Sequence, residues 1–415
     1  MYRPALPWEQ ARRVASASAG PLPVATARLD EALGSVLAEP VVALSDLPAF
    51  ASAAMDGYAV AGASPWLLNE TDVRLAGHPD DRPLLPGYAV PIATGAALPL
   101  GADGVLRREH GLVETALHGS RLYPRDPLTG LPDDTGAALP PGTDVRPQGE
   151  ECRAGEPLIP IGSIVGPAII GLAAAAGYDT LEVIPPPVVA VLVVGDELLE
   201  RGLPRPGRVR DALGPLVPPW LASLGARANP PIRVPDTRQA LLDEIDDSTA
   251  DVIVTTGSTA QGPVDHLHDV LDHLRARWIV DGVQVRPGHP MLLAALPDGR
   301  HVIGLPGNPL AAVSGLLTLA TPLVAALRGL PEGGLAAVQA VLLDDAAPHP
   351  EDTRLVPVVL DQGASGPTQV TARRLRFGGP AMLRGLALAD GMAVIPPGVD
   401  PRGTLVEVLP LPAIP

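Results

Sequence analysis

The stretch DVIVTTGSTAQGPVDHLH, residues 251–268, is a β-branched run followed by a Thr/Gly/Ser cluster and the beginning of a helical pattern. A second stretch, VVAVLVVGDELLERG at 188–202, joins an uninterrupted apolar run to an acidic loop. Helical patterns at 237–247 and 265–276 alternate with such runs. Alternation of this kind predicts βαβ units and a mostly parallel sheet. In such sheets, ligands bind at the carboxyl ends of the strands.

The segments on either side have different patterns. Residues 60–145 are dense in Gly, Pro and Asp and contain short apolar pieces, which predicts a small β domain. Short strands separated by turns also predict an all-β tail at 331–415. Apolar residues at helical spacing predict two N-terminal helices, WEQARRVASASA at 8–19 and ATARLDEALGSVLAEPV at 25–41.

Composition limits the function classes. The 415 residues are enough for three or four domains. A net charge of −16 argues against a nucleic-acid partner and against an anionic membrane. The uncharged stretches 157–178 and 303–327 are broken by Gly and Pro, so we expect helices of about a dozen residues, too short to span a membrane. We therefore expect a soluble, cytoplasmic protein.

Two loops at predicted strand ends are candidate ligand sites. The TTGSTAQG loop could offer backbone N–H groups and hydroxyls to a phosphate at a helix N-terminus. It is neither a Walker loop nor GxGxxG, and the alternative is an ordinary strand-to-helix turn. Asp196 and Glu197 follow the other strand, where carboxylates either hold Mg²⁺ or satisfy the free N–H groups of a helix.

Several segments resemble, in their order, those of one known family. They are DLPAFASAAMDGYAV (46–60), IATGAALPLGADGV (92–105), VRPQGEECRAGEPLIPIG (145–162), VAVLVVGDEL (189–198), DVIVTTGSTAQGPVDH (251–266), VQVRPGHP (283–290) and GLPGNPLAAV (304–313). The chain thereby resembles the molybdopterin molybdenumtransferases of the MoeA type, which also include the gephyrin E domain.

The resemblance implies an α/β multidomain chain that forms a homodimer. Its expected parts are an elongated, discontinuous α+β N-terminal and dimerisation domain at 1–48 and 146–184, an inserted small β domain at 49–145, a central doubly wound βαβ domain at 185–330 that binds molybdopterin, and a C-terminal β-barrel-like domain at 331–415. The implied cleft lies between the βαβ domain of one subunit and the small β domain of the other.

The implied reaction is molybdenum cofactor biosynthesis. Members of the family take adenylylated molybdopterin and molybdate, use Mg²⁺ to cleave the phosphoanhydride and release AMP. The expected partners are therefore a second copy of the chain, a pterin nucleotide and other proteins of molybdenum cofactor biosynthesis.

The site residues are carried over by their position in the matching motifs. The expected catalytic residues are Asp56, Thr94, Glu197, Asp236 and Asp265, of which the last three are also the expected metal ligands. The residues expected to bind the pterin nucleotide or molybdate are Thr256, Gly257, Ser258, Thr259, Arg286, His289, Pro306 and Pro309. For Asp56 the alternative is an aspartate that caps its own turn beside Gly57.

Some positions depart from the family pattern. Ser258 replaces a glycine of the phosphate loop, Gly282 replaces a lysine, and Arg286 and His289 replace the lysines of a K-P-G-K-P motif. Asp211-Ala212-Leu213 stands where the family has D-[ST]-N, and Glu151 stands where it has aspartate. Two alternatives to the enzyme therefore stay open: a paralogue that binds pterin or nucleotide without turnover, and a dimeric scaffold.

Overall fold

The computed structural model describes residues 4–116, 119–257, 266–331, 336–361 and 370–412. The chain divides into two compact units. The major unit contains Met1–Ala27, Gly34–Ala38 and Glu182–Pro415, and the minor unit contains Arg28–Leu33 and Glu39–Leu181. This division is coarser than the predicted four domains, whose boundaries stay predictions.

The major unit contains the sheet that the apolar runs predict. In spatial order its strands are Arg227–Ala228, Val188–Val194, Val252–Thr256, His301–Leu305, Leu292–Ala295 and Arg277–Asp281, and Ile232–Val234 also pairs with Val188–Val194. The pairings are parallel as far as His301–Leu305 and antiparallel beyond it. Antiparallel edge strands are common on otherwise parallel sheets of α/β folds.

Both faces of this sheet are buried, which explains the unbroken apolar run at Val188–Val194. Val189, Val191 and Val193 belong to one buried cluster, and the residues that alternate with them belong to another. Successive side chains of a strand point to opposite faces, so each face needs its own apolar residues. The covering helices are Leu213–Ser223, Arg238–Asp246, His266–His273, Pro309–Gly315 and Thr321–Leu327.

The last two of these helices are joined by a π-helical turn at Leu316–Ala320. The resulting helix, Pro309–Leu327, has 19 residues and is long and apolar enough to cross a membrane, so its predicted length is wrong. However, 94% of its most apolar window is buried inside the fold. A helix that is apolar on all sides and covered on all sides is typical of a protein core.

A second sheet of the major unit is barrel-like, as expected for the tail. Its strands, in spatial order, are Leu6–Pro7, Val283–Arg286, Thr353–Asp361, Thr371–Arg374, Val338–Leu342, Leu405–Pro410 and Gly391–Ile395. A further pairing between Thr353–Asp361 and Gly391–Ile395 closes the sheet on itself. The short helix Arg384–Ala387 precedes the strand Gly391–Ile395.

Only one of the two predicted N-terminal helices exists. Trp8–Ala17 is helical, and the Trp8 indole N–H donates to the Thr318 hydroxyl at 3.0 Å. The predicted helix at 25–41 is wrong, because this segment forms the strands Ala25–Arg28 and Val36–Leu37. Between them Gly34 takes a φ of +79°, a left-handed conformation that no regular right-handed helix contains.

The minor unit is built around the predicted small β domain. Its sheet has the spatial order Gly111–Ala116, Gly119–Pro124, Trp66–Leu68, Tyr88–Ile92, Gly57–Val60 and Gly104–Arg107. Shorter elements are the paired strands Ser52–Ala53 and Val145–Arg146, the paired strands Val41–Val42 and Pro157–Ile159, the 3₁₀ helix Arg108–His110 and the helix Pro167–Ala175.

The strand Gly57–Val60 leaves no room for a side chain at its first residue. A Cβ on Gly57 would lie 2.1 Å from the Leu106 carbonyl oxygen. We predict that Gly57→Ala lowers the free energy of unfolding of the minor unit by about 2 kcal/mol or more, because the backbone must shift. Thermal unfolding followed by circular dichroism measures this change.

The matched control is Gly171→Ala, in the helix Pro167–Ala175 of the same unit. Nothing lies within 4 Å of the Cβ that this change adds. Alanine is the better helix former, so we expect a gain of about 0.5–1 kcal/mol. Equal losses in the two variants would show that the close approach at Gly57 has no special cost.

Candidate active site

A cavity of about 310 Å³ lies at the carboxyl edge of the parallel sheet in the major unit. The register pairs Val193 with Thr256 and Thr256 with Leu305, so the three strands end side by side and their loops meet. The described lining residues are Val194, Glu197, Leu198, Val209, Arg210, Asp211, Ala212, Leu213, Thr256, Gly257, Gly307, Asn308, Pro309 and Ala381. The cavity is thus at the position that the βαβ pattern predicts for a ligand.

Glu197 is the predicted metal ligand that lines this cavity. Its residue is exposed, and its carboxylate folds back over Gly195. A Cβ on Gly195 would lie 2.8 Å from Glu197 Oε2, and Gly195 has a φ of +143°. Glycine is therefore needed both for the backbone conformation and for the position of the carboxylate.

Asp236 and Asp196 meet beside this loop. The Asp236 backbone N–H donates to Asp196 Oδ1 at 3.3 Å, and the Asp196 carbonyl accepts from Arg208 Nη1. Asp196 therefore holds neighbouring backbone in place. Asp236 is not among the described residues that line the cavity, so of the two predicted metal ligands that the structure describes, only Glu197 lines it.

The Thr256–Gly257 turn lines the cavity, but not in the way that the phosphate-loop interpretation expects. The Gly257 N–H donates to the Leu305 carbonyl at 2.9 Å and is therefore not available to a phosphate. The expected binding role of Gly257 stays a prediction. Gly257 has a φ of +91°, and a Cβ there would lie 3.0 Å from the Val194 carbonyl oxygen. The absence of a side chain at position 257 therefore allows the ends of two strands to approach closely.

The rest of the predicted loop, with Ser258, Thr259 and Asp265, lies outside the described residues. Within the part of the chain that the structure describes, no three His, Cys, Asp or Glu side chains form a group that could hold a metal ion. Because the expected third ligand belongs to the loop that is not described, the metal site of Glu197, Asp236 and Asp265 stays a prediction.

Some residues of the LPGNP segment line the cavity and others do not. Pro306 is buried and is not among the described lining residues, whereas Gly307, Asn308 and Pro309 line the cavity. A Cβ on Gly307 would lie 3.8 Å from the Gly257 Cα, so these two loops are in contact. Pro309 is the first residue of its helix, where a missing N–H has no cost.

Comparisons with known proteins identify matching family models along most of the chain. Residues 6–177 match the family model of the MoeA N-terminal region (domain I and II), residues 190–326 match the probable molybdopterin binding domain, and residues 339–411 match the MoeA C-terminal region (domain IV). The chain belongs to the MoeA-type molybdopterin molybdenumtransferase family. The family and the fold class predicted from the sequence are confirmed.

Relatives of full length are found among named enzymes and solved structures. A molybdopterin molybdenumtransferase of Staphylococcus epidermidis is 27% identical over 394 residues, which cover 92% of this chain and 90% of the relative. One of Staphylococcus aureus is 27% identical over 390 residues, with 91% and 88% covered. The crystal structure of a molybdopterin biosynthesis MoeA protein from Pyrococcus horikosii has a TM-score of 0.73 at 25% identity and covers 99% of this chain and 100% of that one.

In Asp211-Ala212-Leu213, the aspartate, which matches the family pattern, has a structural role. Asp211 is buried; its Oδ1 accepts from the Leu213 and Gly214 N–H groups at 3.0 and 2.9 Å, and its Oδ2 accepts from Arg233 Nη2 at 2.7 Å. These contacts cap the helix Leu213–Ser223. Leu213 belongs to the buried apolar cluster and also lines the cavity.

The positions that replace family lysines are not among the described residues that line this cavity. Arg286 Nε donates to Asp352 Oδ2 at 2.7 Å, and neither Arg286 nor His289 is among the described lining residues. Gly282 has a φ of +87°; its N–H donates to the Met291 carbonyl, and its own carbonyl accepts from the Leu6 N–H, each at 3.0 Å. Gly282 therefore contributes backbone hydrogen bonds and has no positive charge.

In the minor unit, the predicted residues Asp56 and Thr94 are brought together from separate loops. The Thr94 backbone N–H and hydroxyl both donate to Asp56 Oδ1, at 2.7 and 2.8 Å. These two hydrogen bonds, the backbone one first, lower the pKa of Asp56 below its ordinary value. Asp56 therefore presents an exposed, ionised carboxylate whose partner lies outside its own turn.

We predict that Thr94→Val raises the pKa of Asp56 part of the way to its ordinary value, because the hydroxyl donor is lost while the stronger backbone donor remains. A lowered carboxylate pKa stabilises the fold above the unfolded-state pKa, and this contribution is lost as the pH falls through the folded-state pKa. The variant should therefore lose less stability on acidification. A carbon-13 NMR titration of the aspartate carboxyls measures the shift.

Thr115→Val is the matched control, because its hydroxyl lies 3.4 Å from the Ser120 hydroxyl and forms no hydrogen bond with a carboxylate of the residues that the structure describes. An Asp56 pKa that is the same in the wild type and in both variants would contradict the role of the Thr94 hydroxyl.

Proposed function

We propose that this chain inserts molybdenum into molybdopterin: it takes adenylylated molybdopterin and molybdate, requires Mg²⁺ and releases AMP. The observation that carries the proposal is the cavity in which Glu197, the Thr256–Gly257 turn and the Gly307–Pro309 loop meet at one sheet edge. This cavity lies in the part of the chain that matches the probable molybdopterin binding domain. The relatives named molybdopterin molybdenumtransferase match nearly the whole chain, which supports the same reaction.

The Glu197 carboxylate fits a divalent ion. It is exposed at the cavity, and no described residue forms a hydrogen bond or ion pair with it. Carboxylate oxygens are the ligands that Mg²⁺ prefers, and we propose that Glu197 holds the ion together with Asp236 and Asp265. A divalent ion held there would neutralise charge on the diphosphate and on the leaving phosphate. Glu197, positioned over Gly195, fixes where that neutralisation occurs.

We predict that Glu197→Gln raises the Mg²⁺ concentration needed for half-maximal AMP release by roughly tenfold or more, because a charged ligand is lost. AMP release from adenylylated molybdopterin in the presence of molybdate, titrated with Mg²⁺, measures this. Glu200→Gln is the matched control, since Glu200 is exposed in the same loop and is not among the described lining residues. Equal Mg²⁺ dependence in both variants would remove Glu197 from the metal site.

We also propose a homodimer in which Asp56 and Thr94 of one subunit complete the site of the other. The family resemblance suggests this arrangement, and the exposed, ionised Asp56 carboxylate with its Thr94 donors supports it. Light scattering on the purified chain tests whether the dimer exists.

A mixed dimer tests the sharing of the site. Asp56→Asn and Glu197→Gln homodimers should both be impaired. A purified heterodimer of the two variants has one site with both substitutions and one with neither, so it should regain about half of the wild-type activity. No regain in a verified heterodimer would mean that both residues serve the same subunit.

Turnover-free binding is the second candidate function. It is favoured by Gly282, which offers no cation, and by the ion pair that engages Arg286 with Asp352. Ligand binding without metal-dependent AMP release would select it over the enzyme, and AMP release would exclude it.

A further inference from the structure

Arg210 lies outside the residues that the sequence motifs singled out. Arg210 is the basic side chain among the described residues that line the cavity at Glu197. Its backbone lies in the strand Val209–Arg210, which pairs in parallel with Leu198–Leu199. The Val209 N–H donates to the Glu197 carbonyl at 2.9 Å, and the Asp211 N–H donates to the Leu199 carbonyl at 3.0 Å. Arg210 is thus anchored on both sides, directly beside the Glu197 loop.

The guanidinium of Arg210 is largely available. Its Nη1 donates to the Leu199 carbonyl at 3.2 Å, and the residue is exposed. Within the described part of the chain it forms no ion pair. A guanidinium has five N–H donors in a fixed fork, so most of this fork remains free for a ligand with several acceptor oxygens.

Two other charged residues line this cavity among the described residues, Asp211 and Glu197. Asp211 is paired with Arg233, and both of its oxygens accept hydrogen bonds. Glu197 lines the same cavity as Arg210, yet the described structure shows no ion pair between them. A cation and a carboxylate that share a cavity without pairing suit a ligand that carries negative charge and a metal ion.

We propose that Arg210 binds an oxyanion of the substrate in this cavity. This inference rests on the proposed function for the identity of the oxyanion, which is either the diphosphate of the adenylylated pterin or molybdate. Both are tetrahedral oxygen anions, to which a guanidinium donates paired hydrogen bonds. Arg210 is a binding residue here: it donates hydrogen bonds and transfers no proton, because a guanidinium stays protonated in proteins.

The alternative is a solvated basic loop. Arg201, Arg205, Arg208 and Arg210 all lie in the exposed stretch 200–210. Arg208 donates to the Asp196 carbonyl, and Arg201 lies 3.9 Å from Glu200. Only Arg210 of these four is among the described lining residues, so a cavity ligand should distinguish it from Arg205.

The experiment is isothermal titration calorimetry of the purified full chain with two probes, inorganic diphosphate with Mg²⁺ and molybdate alone. We expect Arg210→Gln to weaken the binding of at least one probe by about tenfold or more, because a charged hydrogen bond is lost. Arg210→Lys should show a smaller loss, since it keeps the charge but not the fork. Arg205→Gln should bind as the wild type does, and circular dichroism checks that each variant is folded.

The probe that loses affinity identifies the oxyanion. The inference is overturned if each probe binds equally well to the wild type, to Arg210→Gln and to Arg205→Gln. It is also overturned if neither probe binds the wild type. Both outcomes count whether or not the wild type releases AMP. If Arg210→Gln loses affinity while the wild type releases no AMP, the oxyanion site stands and the proposed reaction fails.

Discussion

The parallel register of three buried strands is the constraint on which the candidate site depends. Val188–Val194, Val252–Thr256 and His301–Leu305 are aligned so that each ends beside the next. Close approach at those ends requires residues without side chains: Gly195 makes room for the Glu197 carboxylate, and Gly257 makes room for the Val194 carbonyl. The same hydrogen bond that closes the sheet edge, from Gly257 to Leu305, removes an N–H group from the ligand.

The charges around this edge divide into two sets. Asp211 and Arg233 satisfy each other and a helix N-terminus, which stabilises the cavity wall but leaves nothing for a ligand. Glu197 and Arg210 face the cavity without forming an ion pair within the described structure. Charges that are buried and paired cost little further free energy when a ligand binds, whereas unpaired charges gain from a partner of opposite sign. A diphosphate with a divalent ion offers both signs at once.

The fold could be predicted from the sequence where the apolar residues of a segment follow one unambiguous pattern. The unbroken run of Val188–Val194 has a single explanation, burial on both faces, and the strand, the sheet and its ligand edge all follow. The segment 25–41 shows the limit, because its apolar residues match a helical period while Gly34 breaks the helix and pairing along the chain decides the outcome. The hydrogen bonds between side chains of a site are still harder to predict from the sequence. Asp56 and Thr94 are 38 residues apart, and no local spacing predicts that they meet. Arg210 was missed because its significance arises only from a cavity that pairing between loops creates.

The exchange of lysine for arginine in this chain is more than a change of composition. The sequence contains no lysine, so every cation except the histidines and the N-terminus has a planar fork. A planar guanidinium favours a carboxylate that lies in its plane, and the Arg286 guanidinium donates a hydrogen bond to Asp352. At position 282 a side chain of any kind would have to adopt the left-handed conformation that Gly282 takes, and its Cβ would lie 3.4 Å from the Cβ of Ala5. A lysine put back there would strain the backbone before it reached a ligand. The positive charge for an anionic substrate must therefore come from another element, and the strand that holds Arg210 beside Glu197 is the described element at this cavity that provides it.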